Sequence, residues 1–296
     1  MFKNEANQVR AGWMIFLAFV SMFIAQQIFS MPGGILLAIV DFPFVDGNFN
    51  MDIIAAFDRH PWIFVLTQGG ATVGGMLATI LLWRFVNKGT LKELGFRGSL
   101  KDLSFGLLLG AVSIAVIFFI LLATGNVTML NSLAKPEFSV YSLSFLVMFI
   151  LVGFSEEIFF RGYVMSTMES RGNPKWLIYV VSAVVFSLAH GMNPNVSVLG
   201  LVNIALVGIL FAYMFDATKS LWLPIGYHIT WNYFQGNVFG FAVSGLTPHG
   251  IYTLSVENGN EWLTGGAFGL EGGLLATLLI ILGYFATKVY VNMKAA

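Results

Sequence analysis

Two adjacent carboxylates and an arginine lie within an apolar run in the middle of the chain, in the segment 153–161 with the sequence GFSEEIFFR. Glu157 and Arg161 are four residues apart, so on a helix they share a face and can form an ion pair. Glu156 is rotated about 100° from Glu157 and has no partner close in sequence. Because a charge at membrane depth costs about 2.5–3.5 kcal/mol even on the milder insertion scales, these residues are candidates for function. The alternative interpretation is an ion network that only holds helices together.

Three further polar residues lie on two later apolar runs, at depths that overlap with the depth of Glu156. The helical rise places Glu156 about 20 Å, His190 about 22 Å and Asn232 about 20 Å from the inner ends of their helices. His228 lies about 13 Å in and shares a face with Asn232, four residues later. A single intramembrane histidine is often only hydrogen-bonded to a neighbouring helix. Four polar groups at one level predict instead a catalytic or ion-handling site.

These residue types supply the groups that hydrolysis of an amide requires. A carboxylate can act as a general base toward water, and an asparagine amide can donate to a developing oxyanion. Imidazoles can share a proton or bind a divalent metal, so Glu156, His190 and His228 are also candidate ligands for an ion such as zinc. The chain has no cysteine, and it lacks both the Gly-x-Ser-x-Gly and the His-Glu-x-x-His signatures, so a metal site would have to be assembled from separate helices.

The rest of the chain consists mainly of apolar runs that can hold such a site inside a bilayer. Of 296 residues 57% are hydrophobic and only 10% are charged, which is typical of a polytopic membrane protein. We predict an all-α bundle of about eight transmembrane helices, in a single membrane domain that covers residues 1–296. The predicted spans are 12–31, 62–83, 103–124, 141–165, 176–191, 198–215, 221–240 and 270–291. A segment between the second and third spans, 91–97, is interpreted either as a short interfacial helix or as a basic loop.

The charges in the loops predict the orientation of the bundle. With Arg161 set aside as intramembrane, twelve of the fifteen basic residues fall on one side, and only Arg59 and Lys135 fall on the other. By the positive-inside rule both termini are cytoplasmic. The opposite side carries the acidic residues Asp41, Asp46, Asp52, Asp58, Glu257, Glu261 and Glu271. With 15 basic and 15 acidic side chains, the net charge argues against a nucleic-acid partner.

The three motifs together resemble a known family. Glu156-Glu157-x-x-x-Arg161, Phe186-x-x-x-His190 and His228-x-x-x-Asn232, in this order on separate helices, are similar to the motifs of the CAAX protease and bacteriocin-processing family, also called CPBP or Abi. Its members are intramembrane endopeptidases and include the type II CAAX prenyl endopeptidases. The resemblance covers about residues 140–240, which would form the catalytic core. The segments 232–236, 243–245 and 263–266 are also similar to bacterial members, which favours a multi-pass protein of a bacterial plasma membrane.

The resemblance implies a role for each motif residue. Glu156 would activate water with His190, Glu157 would support the site together with Arg161, and His228 and Asn232 would stabilise the oxyanion or help to hold a metal. The expected partners are the lipid bilayer and a membrane-associated peptide or protein, which would be cleaved in a cavity open to the cytoplasm. Prenylated protein tails, leader peptides and other membrane-proximal peptides all remain possible substrates.

Two other classes of function use the same residues. A proton- or ion-coupled transporter would employ the buried ionisable groups as a relay, although the chain shows neither inverted repeats nor paired broken helices. A non-catalytic immunity or scaffold protein would keep the motifs as structural contacts.

Overall fold

The protein is an almost entirely helical bundle in the computed structural model, which describes residues 2–4, 7–41, 44–45, 48–49, 56–57, 59–257 and 259–295. The predicted fold class, an all-α polytopic bundle, is confirmed. Three of the acidic residues assigned to the external side, Asp46, Asp52 and Asp58, lie outside the described residues. The described strands are short and occur in two antiparallel pairs.

The helices follow the order of the predicted spans. The ten that we number are α1 Ala11–Val40, α2 Pro61–Phe85, α3 Leu91–Leu94, α4 Leu100–Ala123, α5 Val140–Ser170, α6 Lys175–Ala189, α7 Val198–Thr218, α8 Trp222–Tyr233, α9 Glu261–Thr264 and α10 Leu274–Ala295. The strands are β1 Phe44–Val45, β2 Asn48–Phe49, β3 Val127–Met129 and β4 Leu254–Val256. Strand β3 pairs with β4 and so ties the connection before α5 to the one before α9.

Among the described residues, six helices are long and apolar enough to cross a membrane, namely α1, α2, α4, α5, α7 and α10. The predicted count of eight is therefore not confirmed. Helix α6 has 15 residues, and α8 has 12 before it continues as the π-helix Phe234–Val238. Both are shorter than the roughly 20 residues that a full span needs. Each nevertheless carries or ends at a candidate site residue, because His190 follows α6 and His228 and Asn232 lie on α8.

The segment between α2 and α4 forms a short helix rather than a plain basic loop. Thr90 caps α3 by accepting the backbone N–H of Glu93, whose carboxylate accepts the backbone N–H of Thr90 in return. Leu94 is fully buried, while the charged residues of the helix face outward. The sequence pattern of apolar residues interleaved with charge therefore forms a short turn of helix.

Glycines allow α8 to lie directly against α4. A Cβ atom at Gly106 would be 2.2 Å from the carbonyl oxygen of Leu223, and one at Gly226 would be 2.5 Å from that of Leu103. Because such contacts are possible only without side chains, the two backbones approach as in other small-residue membrane interfaces. Thr230 adds a hydrogen bond of 2.8 Å to the carbonyl of Leu107. This packing fixes the helix that carries His228 and Asn232.

Candidate active site

The two adjacent glutamates lie where helix α5 changes its winding. Regular α-helix runs from Val140 to Glu157, and residues Ile158–Met165 continue as a π-helix before α-helix resumes at Ser166. Wide π-helical turns within α-helices are often found at functional sites. The whole helix extends to Ser170, so Glu156 lies about 20 Å from its inner end, as the sequence predicts.

Glu157 belongs to a buried ion network rather than to an open site. Its side chain is fully buried, and its Oε1 accepts hydrogen bonds from Arg161 Nη1 at 2.9 Å and from His228 Nδ1 at 3.0 Å. An ionised carboxylate can only accept, so the Nδ1 atom of His228 carries the proton. The Glu157–Arg161 pair predicted from the four-residue spacing is present, and it extends across the helices to α8.

Arg161 is enclosed by aromatic rings. Its guanidinium lies 4.3 Å from the ring centre of Phe186 and 5.0 Å from that of Phe211, and Nη2 lies 3.4 Å from the carbonyl oxygen of Gly208. The residue is fully buried. A buried cation is tolerated only with a counter-charge and further polar or π contacts, and Arg161 has all of these. The arginine thus holds Glu157 in place and ties α5 to α7.

Glu156 has a different environment from its neighbour. Its side chain is 29% exposed, and its Oε2 lies 3.8 Å from Nε2 of His228, which is an ion-pair separation but too long for a hydrogen bond. That Oε2 atom is itself buried and has no hydrogen-bond partner. Because its side chain is partly exposed while that of Glu157 is fully buried, Glu156 is the one of the two carboxylates that is available to a water molecule or a substrate.

His190 forms the C-terminal cap of helix α6. Its Nδ1 lies 2.9 Å from the carbonyl oxygen of Phe186. Since a carbonyl only accepts, Nδ1 carries the proton, and Nε2 of the neutral ring is an acceptor. The ring packs at 68° against Phe186, with 4.9 Å between the ring centres. His190 is half-buried, which leaves it accessible from the cavity beside it.

One cavity joins the candidate residues. It has a volume of about 210 Å³, and Glu156, His190, His228 and Asn232 all line it. These residues come from α5, the end of α6, and α8, so three separate helices deliver them to one place as the depth argument predicts. Glu157 does not line this cavity. Apolar walls, including Phe149, Val152 and Phe211, surround the polar groups.

On the predicted orientation of the bundle, the position of the cavity does not agree with an opening to the cytoplasm. Its loop residues, Asn193, Ser244, Leu246 and Glu271, come from the connections after α6 and α8 and before α10. Those connections join the helix ends that lie opposite the basic loops. On the predicted orientation the cavity therefore extends from the middle of the membrane toward the external side. Helix α6 ends at Ala189, and the connection that follows it contributes Asn193 to the wall of the cavity.

The structure does not group the suggested metal ligands as a metal site requires. Within the described ranges, no three side chains of the His, Cys, Asp and Glu types are arranged to hold a metal ion. One ring nitrogen of each histidine is engaged, His190 by a carbonyl and His228 by Glu157, which is the usual arrangement of a metal-binding histidine and leaves Nε2 as the nitrogen for a ligand. The residue types of Glu156, His190 and His228 therefore suit a metal, but the described side chains are not gathered into a three-ligand site.

Sequence reasoning missed Glu271, which also lines the cavity. It was counted only among the external acidic residues, whereas the structure buries it, with 8% exposure, in a 3-10 turn just before α10. Burial raises the pKa of Glu271 to about 7, although Gln235, Ser244 and backbone amides partly offset this by favouring the ionised form. The sequence signal that could have identified Glu271 is a carboxylate in a glycine-rich stretch directly before an apolar run.

Comparison with known proteins agrees with the motif resemblance. Residues 137–234 match the family described as type II CAAX prenyl endopeptidase, Rce1-like. The resemblance of this segment to the family, given above on its motifs, is thus confirmed. The match covers about one third of the chain and contains all five predicted catalytic residues, Glu156, Glu157, His190, His228 and Asn232. No curated protein and no solved structure gave a significant match.

Proposed function

We propose that the protein is an intramembrane endopeptidase that hydrolyses a peptide bond with water activated by Glu156 and His190. The observation that supports the proposal is the cavity shared by Glu156, His190, His228 and Asn232. The family match also supports protease activity, and it does not depend on the geometry of the cavity. Each of the four residues has a part in the hydrolysis.

Glu156 acts as the general base. It is the carboxylate that lines the cavity, and its side chain is 29% exposed whereas that of Glu157 is fully buried. His190 donates Nδ1–H to the Phe186 carbonyl, so Nε2 is the ring nitrogen that can face the water. It can accept a hydrogen bond from the same water and orient it for attack. A correctly positioned base of this kind contributes about 10²–10⁴-fold to the rate.

His228 and Asn232 stabilise the charge that develops on the carbonyl oxygen. His228 lies between two carboxylates, and in its doubly protonated form it donates Nδ1–H to Glu157 and presents Nε2–H toward the cavity. The Asn232 amide, one helical turn later, is a second donor. The pair Glu157 and Arg161 does not touch the reacting atoms and positions the His228 ring.

The substrate class follows from the family and from the surroundings. The family name points to prenylated CAAX-type tails, and the motif resemblance extends to leader peptides and other peptides close to a membrane. All of these are peptides that a helical bundle in a bilayer can reach. We propose a membrane-associated peptide or protein as the substrate, in an integral membrane protein with both termini in the cytoplasm.

The test is cleavage of a peptide library by purified protein. Glu156→Gln keeps the size of the side chain but removes its basicity, and we expect a loss of at least about 100-fold in kcat. Glu169→Gln is the matched control, because Glu169 lies on the same helix but its side chain is 62% exposed. It forms a surface ion pair with Lys219 at 3.6 Å and does not line the cavity. Full activity of the Glu156 variant would refute the mechanism. Solute flux without any cleavage would favour a transporter instead.

A further inference from the structure

Glu271 lies in the wall of the proposed catalytic cavity but outside the family motifs. It precedes helix α10, and its side chain is more than nine-tenths buried. The cavity that it lines also contains Glu156, the proposed base. Two carboxylates therefore face one small, largely apolar space.

The Glu271 carboxylate is held rigidly by uncharged donors. Gln235 donates through Nε2 to its Oε2, and Ser244 Oγ lies 3.3 Å from its Oε1. Asn203 fixes the backbone of the same turn, donating to the carbonyl of Glu271 at 2.7 Å and to that of Gly273 at 3.0 Å. Gln235 and Asn203 are fully or almost fully buried. The carboxylate is thus oriented before any ligand arrives.

No cation from the described part of the chain balances Glu271. It forms none of the ion pairs found among those residues, and neither lysine nor arginine lines the cavity. The titratable groups that share the cavity are Glu156, His190 and His228, and the nearby Arg161 is committed to Glu157. A buried carboxylate without a counter-charge favours either a proton or an incoming cation.

We propose that Glu271 receives a positively charged group of the substrate, so that the enzyme selects peptides with a lysine or arginine side chain close to the cleaved bond. The apolar walls formed by Phe149, Val152 and Leu246 suit the aliphatic stem of such a side chain, while its charged end meets the carboxylate. This inference rests on the proposed endopeptidase function and specifies its substrate class.

The competing explanation is that Glu271 only anchors the turn Val243–Leu246. That turn is bound to Glu271 through Ser244, and Asn193 donates to the Ser244 carbonyl at 3.0 Å. In this case Glu271 would support the loop next to His190, and its charge would not matter. The two explanations differ in whether the effect of a Glu271 variant depends on the charge of the peptide.

The experiment compares peptides that are identical except for lysine, norleucine or glutamate at each position around the cleavage site. Wild-type protein is expected to cleave the best lysine peptide about 10- to 100-fold more efficiently, in kcat/KM, than its norleucine counterpart. Glu271→Gln is expected to remove this preference by raising KM for the lysine peptide, whose cleavage falls by a larger factor than that of the norleucine peptide. Glu261→Gln, which changes an exposed carboxylate of the same connection, is expected to keep the preference.

Ser244→Ala separates anchoring from charge recognition. It removes one hydrogen bond to Glu271 but leaves the carboxylate in place, so the lysine preference is expected to persist. The proposal is overturned if wild type shows no preference for a cation at any position. It is also overturned if Glu271→Gln lowers cleavage of the lysine and norleucine peptides by the same factor. A third refuting outcome is that Glu271→Gln fails to fold and Ser244→Ala loses the preference for lysine.

Failure of the proposed function would be recognised separately. If wild type cleaves no peptide, the endopeptidase proposal fails. The proposal that Glu271 recognises a cation is then tested by measuring the binding of fluorescent lysine and norleucine peptides to wild type and to Glu271→Gln. Tighter binding of the lysine peptide to wild type alone supports cation recognition. Equal binding of both peptides overturns it.

Discussion

Removal of Arg161 tests whether the two adjacent glutamates have the separate tasks that the structure indicates. Arg161→Met keeps most of the aliphatic stem but leaves the Glu157 carboxylate buried, with only His228 as a partner. Breaking a buried ion pair from one side costs about 3–5 kcal/mol. We expect a loss of this size in the free energy of unfolding, measured by titration with SDS in mixed micelles.

The double variant Glu157→Gln with Arg161→Met removes both charges. The glutamine can still accept the hydrogen bond from His228, so no buried charge is left without a partner. The contacts of the guanidinium with Phe186 and Phe211 are lost in both variants, at about 0.5–2 kcal/mol. We therefore expect the double variant to be more stable than Arg161→Met by about 1–3 kcal/mol.

Cleavage by the double variant completes this test. Glu156 and the cavity are retained, so measurable peptidase activity is expected, reduced because His228 is held less firmly. If Arg161→Met lowers the free energy of unfolding by less than about 1 kcal/mol, the Glu157–Arg161 pair is not desolvated as described. A double variant as unstable as the single one would refute the charge-balance argument.

Three further predictions concern other parts of the molecule. Gly226→Ala should destabilise the protein by about 1–3 kcal/mol, because its Cβ would lie 2.5 Å from the Leu103 carbonyl oxygen. Gly12→Ala is the control and should not destabilise it, because no atom lies within 4 Å of the added Cβ. Thermal unfolding in detergent measures both variants. Asn232→Ala should lower kcat by about 10²–10³-fold with little change in KM, as for other oxyanion donors, and an effect on KM alone would contradict the assigned role. For a lysine peptide, KM should fall as the pH rises through the Glu271 pKa of about 7, since the ionised carboxylate binds the cation; KM for the norleucine peptide should not follow this change, and parallel behaviour would exclude Glu271 as its origin.

The metal question has a direct measurement. Because the described donors are not grouped for a metal, we expect purified protein to contain clearly less than one zinc per chain and to retain cleavage after treatment with a chelator. Apo-protein that regains activity only when zinc is added would contradict this expectation. Elemental analysis and a chelator titration on the same sample are sufficient.

The helices and their contents were predictable because their causes are local. A backbone in lipid must satisfy its own hydrogen bonds, so long apolar runs become helices, and the predicted spans agree with the helices to within a few residues at many ends. The Glu157–Arg161 pair follows from helical spacing alone. The predicted span 176–191 agrees with the short helix α6, Lys175–Ala189.

The site required contacts between segments that are distant in the chain. Glu157 and His228 are 71 residues apart and meet at 3.0 Å. Glu271 joins the cavity through Gln235 and Ser244, which are 36 and 27 residues away. No periodicity within one helix shows which faces of two helices will meet, so neither contact could be derived from spacing.

The sequence alone therefore determined that this is a membrane bundle, and it predicted which polar residues share a depth, because the cost of placing polar groups in lipid acts residue by residue. Only the tertiary structure decided that Glu156 faces the cavity while Glu157 is enclosed, and that the cavity extends away from the basic loops. Those features depend on how glycine-lined helices approach one another and on which neighbour completes each buried charge. Both are properties of the packed bundle rather than of any single segment.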